Sequence, residues 1–588
     1  MLISAVGVAA IALLTVAGAA QAATSTVCSS GCDHATIQAA VNAATAGDTI
    51  SVGAGTYTDI VDNYAHVAVN TPNLKILGAQ YGVDARTRSA TGESIVQAGG
   101  TKREPAFYIN ADGVVIDGFT LQGGTNAAGI TIAKQYSGSQ ILNNVIQNNS
   151  IGLFPASNGA TQTIVKQNFF KNNNVPGASS GTGIYSDDGL SNALIDNNKF
   201  TGHSSAAMNL IGLQSFTVSN NQLVADASIV LFNSMTGSIA NNISTAPQGS
   251  GLFLGGGNNG VDVTGNTISG GVSSAVNVQD VGYGPNTSIS VLGNTLTGNG
   301  YGIRVNAGAL ATPLEAHFNR IVGSTTSGLH NNSTSQVNAE NNWWGCNDGP
   351  NTVDCDAVSG TGPVDFDPWL VLGISASPDS VATEGDSTIT ADLTRNSADT
   401  DTSGSGMLPN GTPVAFSTDL GSVNPSDTET TGGKATTTFT AGTNPGTANT
   451  SAIVDGQSVS VPVTVEEPPD QTAPRVSRVE PRENATGVGP GTSVRAFFSE
   501  AMRADSINTT TVKIFKAGEN SARKATVTYD GATDKATLDP SADLRRGVRY
   551  RVVVTTRATD EAGNRLDQDQ DPSNGNQPKA WFFTVRNN

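Results

Sequence analysis

A short apolar strand that ends in an asparagine step recurs nine times between residues 144 and 342. The second residue of each step is Asn144, Asn168, Asn198, Asn221, Asn242, Asn266, Asn294, Asn319 and Asn342. The successive spacings are 24, 30, 23, 21, 24, 28, 25 and 23 residues, and a repeat of that length is typical of a solenoid. Short alternating apolar runs separated by Gly, Asn, Ser and Thr favour strands over helices. The sequence therefore predicts a β-solenoid.

Stacked coils would place each of these asparagines over the previous one. Neighbouring strands lie about 4.8 Å apart, a distance at which side-chain amides can bond along the stack as a ladder. The composition agrees, since 67 Gly and only 5% aromatic residues suit narrow turns around a thin core.

The N-terminus and the cysteines both indicate export. Residues 2–20 are apolar and end in Ala20-Gln21-Ala22, which predicts a secretory signal peptide over residues 1–22. No Lys or Arg precedes the apolar run, so an uncleaved membrane anchor is the alternative. The four cysteines form two local pairs, Cys28 with Cys32 and Cys346 with Cys355, and we predict two disulfides. Metal binding is the competing interpretation, although a second ligand pair with zinc spacing is missing.

Before the first asparagine repeat, the sequence ATIQAAVNAATAGDTISVGAGTY predicts an amphipathic helix from Thr36 to about Ala44, then a strand and a turn. The helix would cap the first coil, whose core and strand edges would otherwise be exposed. Together with VVIDGFTL and the asparagine-ended repeats, this segment resembles the right-handed parallel β-helix superfamily of pectin-lyase-like proteins over about Cys28 to Leu372. The resemblance implies a β-helix domain over residues 23–372.

The segments NNWWGCNDGPN and VDFDPWL resemble the ending of many such repeat proteins. The resemblance implies that Trp343, Trp344 and Trp369 cover the last coil. A role as platforms for sugar rings is the alternative.

The rest of the chain has the spacing of strands and turns expected of β-sandwiches. Residues 373–466 resemble bacterial Ig-like domains of the invasin and intimin type, and residues 474–588 resemble the Ig-like domain of S-layer proteins of the SbsA type. Paired prolines in the linker at residues 467–473 favour an extended spacer. The predicted fold class is all-β: a right-handed parallel β-helix solenoid with an N-terminal capping helix, followed by two β-sandwich domains.

Charge is unevenly distributed along the chain, whose net charge is −18. From Gln471 onward there are 18 Lys and Arg against 14 Asp and Glu, whereas the remainder has 13 against 35. The basic tail could face an anionic cell-wall polymer, or could be an ordinary mixed surface. The acidic β-helix argues against nucleic acid as a partner.

A candidate binding surface follows from the strand after each asparagine turn. Outward side chains of stacked strands form a column along the solenoid, which suits a linear polymer. The predicted column is Phe154, Tyr185, Asn209, Leu231, Phe253, Asn277, Arg304 and His330. The corresponding inward positions are Leu153, Ile184, Met208, Val230, Leu252, Val276, Ile303 and Leu329. Aromatic rings beside amides suit sugars, unless loops cover the column or the register is shifted.

The candidate catalytic residues are Asp187 and Asp188 in the longest repeat, and His203 after it. Paired carboxylates near a histidine could act as acid and base in glycoside hydrolysis. Polygalacturonase-type β-helices use an Asp-Asp pair and a Gly-His motif, but their Asn-Thr-Asp and Arg-Ile-Lys triplets are missing here. Ser-Asp-Asp-Gly is also the sequence of an ordinary exposed turn.

A polysaccharide lyase would need a calcium-binding carboxylate cluster and a basic residue at the same sugar. Arg304 lies five coils beyond Asp187, roughly 24 Å away at about 4.8 Å per coil, which is too far for one sugar ring. Asp280 lies one coil from Arg304, but two residues do not make a metal site.

A calcium site is predicted in the tail, where Asp567, Asp569, Asp571 and Asn574 alternate. These oxygens could hold a structural Ca²⁺, and no other cofactor is required. Pro572 and Pro578 depart from an EF-hand, and a solvated acidic loop is the alternative.

The sequence thus favours a secreted or cell-surface protein of a bacterial envelope. Its β-helix would bind extracellular or cell-wall polysaccharide, with the Ig-like domains as spacer and anchor and other envelope proteins as further partners. Two alternatives stay open: a polysaccharide hydrolase or lyase, and a structural adhesin without carbohydrate activity.

Overall fold

The computed structural model describes residues 22–58, 66–99 and 104–588. The predicted signal peptide, residues 1–22, lies outside these ranges except for Ala22. The chain divides into two compact units, one up to Val465 and one from Glu466. The described residues contain a single α-helix, Ile37–Ala43, and otherwise almost only strands. The predicted all-β class is confirmed. No helix of the described ranges combines the length and the apolar character needed to cross a membrane.

The helix caps the first coil, as predicted. Thr36 is its N-cap, and its Oγ1 accepts a hydrogen bond from the Ala39 amide at 3.1 Å. The buried face, which includes Ile37 and Val41, belongs to the same core as the first strands of the solenoid. The apolar end of the stack is thereby covered at its first coil.

The solenoid is built from three parallel sheets, here named A, B and C. In the described residues, sheet A has 15 strands: Thr24–Val27, Thr49–Val52, Lys75–Leu77, Val115–Asp117, Gln140–Leu142, Thr163–Lys166, Leu190–Ser191, Ala193–Asp196, Leu213–Ser219, Met235–Ala240, Asn259–Thr264, Thr287–Leu292, Leu314–His317, Val337–Asn338 and Val364–Asp365. Each coil passes from sheet A to sheet B, then to sheet C, and back to A.

Sheet B has 11 strands within the described ranges: Gly55–Tyr57, Ser94–Gln97, Phe119–Gln122, Val145–Gln147, Phe169–Lys171, Lys199–Thr201, Gln222–Val224, Ile243–Thr245, Thr267–Ser269, Thr295–Thr297 and Arg320–Val322. Sheet C has 12 there: Val67–Val69, Phe107–Ile109, Ala128–Ile132, Ile151–Pro155, Thr182–Ser186, Ala206–Ile211, Ile229–Phe232, Leu252–Leu254, Ser274–Val278, Tyr301–Val305, Ser327–Asn331 and Val358–Gly360. Inward side chains of all three sheets form one continuous core.

The predicted asparagine ladder lies at the turn from sheet A to sheet B. From Asn144 to Asn319, each backbone amide and each side-chain Nδ2 donates to the Oδ1 of the next ladder asparagine, at 2.8 to 3.0 Å and 2.9 to 3.1 Å. All nine ladder asparagines are buried. The ladder thus satisfies polar groups that the sharp turn would otherwise leave unpaired in the interior.

The residue before each ladder asparagine explains the doublets of the sequence. These residues are Asn143, Gln167, Asn197, Asn220, Asn241, Gly265, Gly293, Phe318 and Asn341, with φ between 51 and 64°. Asn and Gly adopt this left-handed conformation at the lowest cost, which is why seven of the nine steps read Asn-Asn or Gly-Asn.

A second ladder lies at the turn from sheet B to sheet C. The Gly124 amide donates to Asn149 Oδ1 at 2.9 Å, and Asn149 Nδ2 donates to Asn173 Oδ1 at 3.1 Å. Asn173 Nδ2 then faces His203 Nε2 at 3.1 Å, and His203 Nδ1 lies 2.7 Å from Asp226 Oδ2. His203 and Asp226 continue the ladder in the two following coils.

The C-terminal end of the solenoid is closed by tryptophans. Trp344 is buried in the core of the solenoid, and Trp343 is buried in the core of the following β-sandwich. Trp369 is partly buried, and its Nε1 donates to the Asn347 carbonyl at 2.9 Å. Both predicted disulfides are present, and Cys346 with Cys355 closes the loop beside Trp344.

The first β-sandwich shares the compact unit of the solenoid. One sheet contains Leu370–Ser377, Asp386–Asn396, Lys434–Thr440 and Ser422–Asn424; the other contains Ser380–Ala382, Gln457–Glu466, Gly446–Val454, Pro413–Thr418 and Asp427–Glu429. Asp455, in a hairpin turn of this sandwich, accepts hydrogen bonds from Arg320 Nε at 2.9 Å and Trp343 Nε1 at 2.8 Å, and also pairs with Arg320 Nη2. The last coil and the sandwich are therefore joined by a buried ion pair and shared apolar packing.

The second unit is also a β-sandwich. One sheet, the G sheet, contains Val476–Glu480, Val494–Phe498, Lys535–Pro540 and Ala525–Asp530. The other, the H sheet, contains Ala485–Val488, Lys579–Val585, Arg549–Val554 and Val512–Lys516. A short 3₁₀ helix, Ala504–Ser506, follows the strand Val494–Phe498 in the chain. Trp581, Tyr550 and Phe583 are buried in its core.

Candidate functional site

The outer face of sheet C carries one column of side chains, one from each coil. Strand registers align Tyr108, Thr131, Phe154, Tyr185, Asn209, Val230, Phe253, Asn277, Arg304, His330 and Ser359. Seven of the eight predicted column residues, all except Leu231, lie in it. Asn277 is largely buried, because its Oδ1 accepts from Asn306 Nδ2 at 2.8 Å.

The prediction for Leu231 was wrong by one residue. Register pairs Asn209 with Val230, so Val230 faces outward and the fully buried Leu231 faces the core. Most coils have a small residue before the inward apolar side chain, because there is little space at that position. A Cβ on Gly183, for example, would lie 2.5 Å from the Ala207 carbonyl oxygen.

A pocket of about 310 Å³ opens on this face near its N-terminal end. Its floor is formed by Thr131, Phe154 and Tyr185, and Ala178 and Ser179 contribute to its wall. The wall comes from the coil between Asn168 and Asn198, the longest of the asparagine repeats. Its loop folds back onto an earlier coil, where Ser150 Oγ donates to the Pro176 carbonyl at 3.2 Å. The unusual length of this coil thus produces the concavity.

Two stacked rings dominate the floor of the pocket. The Phe154 and Tyr185 ring centroids are 6.0 Å apart with an interplanar angle of 27°. The Tyr185 hydroxyl donates to Asp187 Oδ2 at 2.8 Å. Burial, together with the hydrogen bond and charge of Asp187, raises the pKa of Tyr185. An apolar ring surface therefore lies beside a fixed hydrogen-bonding group, the combination that a sugar ring requires.

The three candidate catalytic residues do not form one site. Asp188 forms an exposed ion pair with Lys134, whose Nζ lies 2.6 Å from Oδ1. His203 is fully buried in the second ladder. The prediction that His203 assists Asp187 and Asp188 in an open groove is therefore wrong, since the ladder encloses the imidazole. Among the described residues that line the pocket, Asp187 is the one carboxylate.

The C-terminal end of the column is basic rather than acidic. The Arg304 guanidinium lies 5.0 Å from the centroid of the Tyr301 ring, and the Tyr301 and His330 rings are 5.4 Å apart. Burial and the charge of Arg304 lower the pKa of His330. Asp280 Oδ1 is engaged within its own loop, where it accepts hydrogen bonds from the Gly282 and Gly284 amides.

A larger cavity of about 820 Å³ lies between the last coil and the first sandwich, beside Trp369 and Ile374. Three of the four charged residues that line it are paired within the sandwich: Arg395 with Asp399 at 2.8 Å, and Asp392 with Lys434 at 2.8 Å. The fourth is Asp348.

In the tail, the predicted calcium ligands lie in one loop and take part in local hydrogen bonds. Asp569 accepts from Asn574 Nδ2 at 3.0 Å and lies beside the Asp567 side chain. Asp567 is buried and accepts from the Gln577 amide at 3.0 Å. Asp571 instead accepts from the Ser573 amide at 2.9 Å. A calcium site in this loop stays a prediction.

A different acidic cluster, missed in the sequence, lies in the same domain. Ligand atoms of Asp470, Glu500 and Asp560 all lie within 4.8 Å of one another. Burial and the charges of Asp470 and Asp560 raise the pKa of Glu500. Asn564 fixes Asp560 through its amide and Nδ2 at 2.7 and 2.9 Å. Sequence separations of 30 and 60 residues left no local pattern that could reveal this cluster.

Two family models match parts of the chain. Residues 61–223 match the right handed beta helix region, and residues 470–585 match a bacterial Ig-like domain. These matches confirm the right-handed β-helix and the bacterial Ig-like tail. The sequence has no significant match among curated proteins.

Solved structures show only distant likeness. The N-terminal part of the bacterial S-layer protein SbsC is 18% identical over 20% of this chain and 24% of its own length, with a TM-score of 0.15. The chain therefore spans about a quarter of that structure. An alginate lyase from Paenibacillus sp. str. FPU-7 is 13% identical over 58% of this chain and 99% of its own, with a TM-score of 0.32. DFA-IIIase from Arthrobacter chlorophenolicus A6, without its lid, is 14% identical over 55% of this chain and 89% of its own, with a TM-score of 0.37. No activity follows from likeness at this level.

Proposed function

We propose that this protein binds an extracellular polysaccharide on the outer face of sheet C, with Phe154 and Tyr185 as the principal contact. The observation that carries the proposal is the pair of stacked rings on the floor of an open pocket, with Asp187 hydrogen-bonded to the edge of Tyr185. Sugar rings have apolar faces and polar edges, and they fit such a surface without any catalytic group.

The shape of sheet C supports a linear polymer rather than a single sugar. The column repeats at the strand spacing of about 4.8 Å and continues past the pocket to Asn209 and Phe253. Two disulfides are typical of proteins exported to oxidising compartments, where such polymers occur. The two sandwich domains would then act as spacer and anchor at a bacterial surface.

Binding is favoured over hydrolysis by the number of carboxylates. Glycoside hydrolysis ordinarily uses two carboxyl groups on opposite sides of the scissile bond. Among the described residues that line the pocket, Asp187 is the one carboxylate, and the neighbouring Asp188 is paired with Lys134. A hydrolase centred on Asp187 is the second candidate.

The test measures retention of the full-length protein on a panel of immobilised polysaccharides, and the release of reducing ends and unsaturated sugars from the same polymers. Tyr185→Ala should weaken retention roughly tenfold, the equivalent of about 1.4 kcal/mol of aromatic stacking. Tyr81→Ala is the matched control, because Tyr81 is exposed and lies in a loop between a strand of sheet A and a strand of sheet B, away from sheet C. It should leave retention unchanged.

Three outcomes would contradict the proposal. Equal loss from Tyr81→Ala would indicate nonspecific contact, and the absence of retention on every polymer would exclude carbohydrate binding. Release of sugars by the wild type that is abolished in Asp187→Asn would establish the hydrolase instead.

A further inference from the structure

The outer face of the H sheet in the tail carries arginines stacked on phenylalanines. The Arg549 guanidinium lies 4.5 Å from the centroid of the Phe582 ring, and the Arg551 guanidinium lies 4.9 Å from that of Phe515. Strand register places Phe582, Arg551 and Phe515 directly opposite one another across three strands. Together with Lys513 on the strand of Phe515, these side chains form a surface that we call the basic face.

The cations of the basic face are available to a ligand. All residues of the tail are described, and none of Arg549, Arg551 and Lys513 forms an ion pair there. Arg549 donates only to Asn484 Oδ1, at 2.8 Å. By contrast, the G sheet has a similar pair, Arg478 over Phe497 at 3.8 Å, but its two arginines share a carboxylate.

On the G sheet, Glu480 Oε1 lies 3.4 Å from Arg478, and Glu480 Oε2 lies 3.2 Å from Arg495. One small domain therefore has two faces with arginines stacked on phenylalanines. The arginines are ion-paired on the G sheet and have no ion pair on the H sheet. This difference supplies an internal control.

Ring stacking holds each guanidinium flat and leaves its N–H edge free, which favours bidentate contact with an anionic oxygen pair. Arg549 and Arg551 are two residues apart on one strand, so their Cα atoms are separated by about 6.8 Å. Such a row suits a polymer with repeated anionic groups better than a single small anion.

We propose that the basic face binds an anionic polysaccharide carrying carboxylate, phosphate or sulfate groups. An anionic glycan is favoured over nucleic acid by the compartment, because the disulfides indicate an oxidising environment, where wall and matrix polymers are the abundant polyanions. This inference is independent of sheet C.

The experiment measures binding of the full-length protein to dextran sulfate, with neutral dextran as the reference. Arg549→Gln with Arg551→Gln should weaken binding at least tenfold. The matched control, Arg478→Gln with Arg495→Gln, removes the same charge from the ion-paired face and should change binding less than threefold. Wild-type binding should fall as NaCl is raised from about 0.05 to about 0.3 M, because salt screens exposed charges.

Arg549→Lys with Arg551→Lys tests the geometry, since lysine keeps the charge but lacks the planar fork. It should give an intermediate affinity, whereas full affinity would overturn the assignment of bidentate contacts. Equal losses in both glutamine variants would show that net charge alone matters. Tighter binding of an oligodeoxythymidylate than of dextran sulfate would assign the face to nucleic acid. A loss of dextran sulfate binding in Tyr185→Ala but not in Arg549→Gln with Arg551→Gln would assign the contact to sheet C and overturn this inference, so the two proposals fail separately.

Discussion

His203 occupies a position that asparagine holds in the preceding coils. Asn173 Nδ2 can donate only to an unprotonated Nε2, so the proton of the neutral imidazole resides on Nδ1 and points to Asp226. His203→Ala would leave the buried Asp226 carboxylate without this donor and Asn173 without this acceptor. We expect a loss of about 3–5 kcal/mol in the free energy of unfolding, measured by denaturant titration of the solenoid transition.

His203→Asn is the control for this prediction, because an asparagine restores a side-chain donor toward Asp226. It should cost less than half as much. A loss below about 0.5 kcal/mol for His203→Ala, the range of ordinary surface substitutions, would contradict the role of His203 in the ladder. This role could not be predicted from the sequence, because His203 and Asp226 replace the asparagine of the two preceding coils, Asn149 and Asn173, at one structural position.

At the scale of the element, the two asparagines of an Asn-Asn step have different roles in the turn from sheet A to sheet B. Asn242 is a buried member of the ladder, whereas Asn241 is exposed and adopts a φ of 56°. Asn242→Gly should therefore cost about 2–4 kcal/mol of unfolding free energy, because several buried partners lose their hydrogen bonds. Asn241→Gly should stay within about 0.5 kcal/mol, since glycine tolerates this conformation. Chemical denaturation of both variants tests the difference.

Gly265 and Gly293 already occupy the equivalent position in two other coils, which supports the benign effect of Asn241→Gly. Equal destabilisation by the two substitutions would contradict the assignment of separate roles. The ladder was predictable because asparagine recurs at the same position in nine successive coils. The register of Ile229–Phe232 was not, because four consecutive apolar residues show no alternation and Ser228 replaces the usual Gly or Ala.

At the scale of the whole molecule, Asp455 couples the unfolding of the solenoid to that of the first sandwich. Its side chain is only 7% exposed, and it accepts from both Arg320 and Trp343. Asp455→Ala would leave the largely buried Arg320 side chain, which is 15% exposed, without its partner, at a cost of about 3 kcal/mol. We expect a single thermal transition of this unit to separate into two, which differential scanning calorimetry would resolve.

Asp399→Ala is the matched control, because Asp399 forms an exposed ion pair with Arg395 in the same sandwich. Its effect should stay below about 1 kcal/mol. An unchanged calorimetric profile of Asp455→Ala would show that apolar packing alone joins the two parts. The domain order was predictable from composition and turn spacing. The junction was not, because Arg320 and Asp455 are 135 residues apart.

The end of the asparagine ladder also limits how copies of this protein can assemble. Asn342 turns its Nδ2 back to the carbonyls of Ala316 and Ala339, and its Oδ1 is already used by Asn319. The chain then leads directly into the sandwich. In end-on polymerisation, a new subunit would pair with the open last coil, as a strand is added to an amyloid fibril. This mode of assembly is blocked at this end. A fibre of this protein could therefore not grow by adding strands to the last coil.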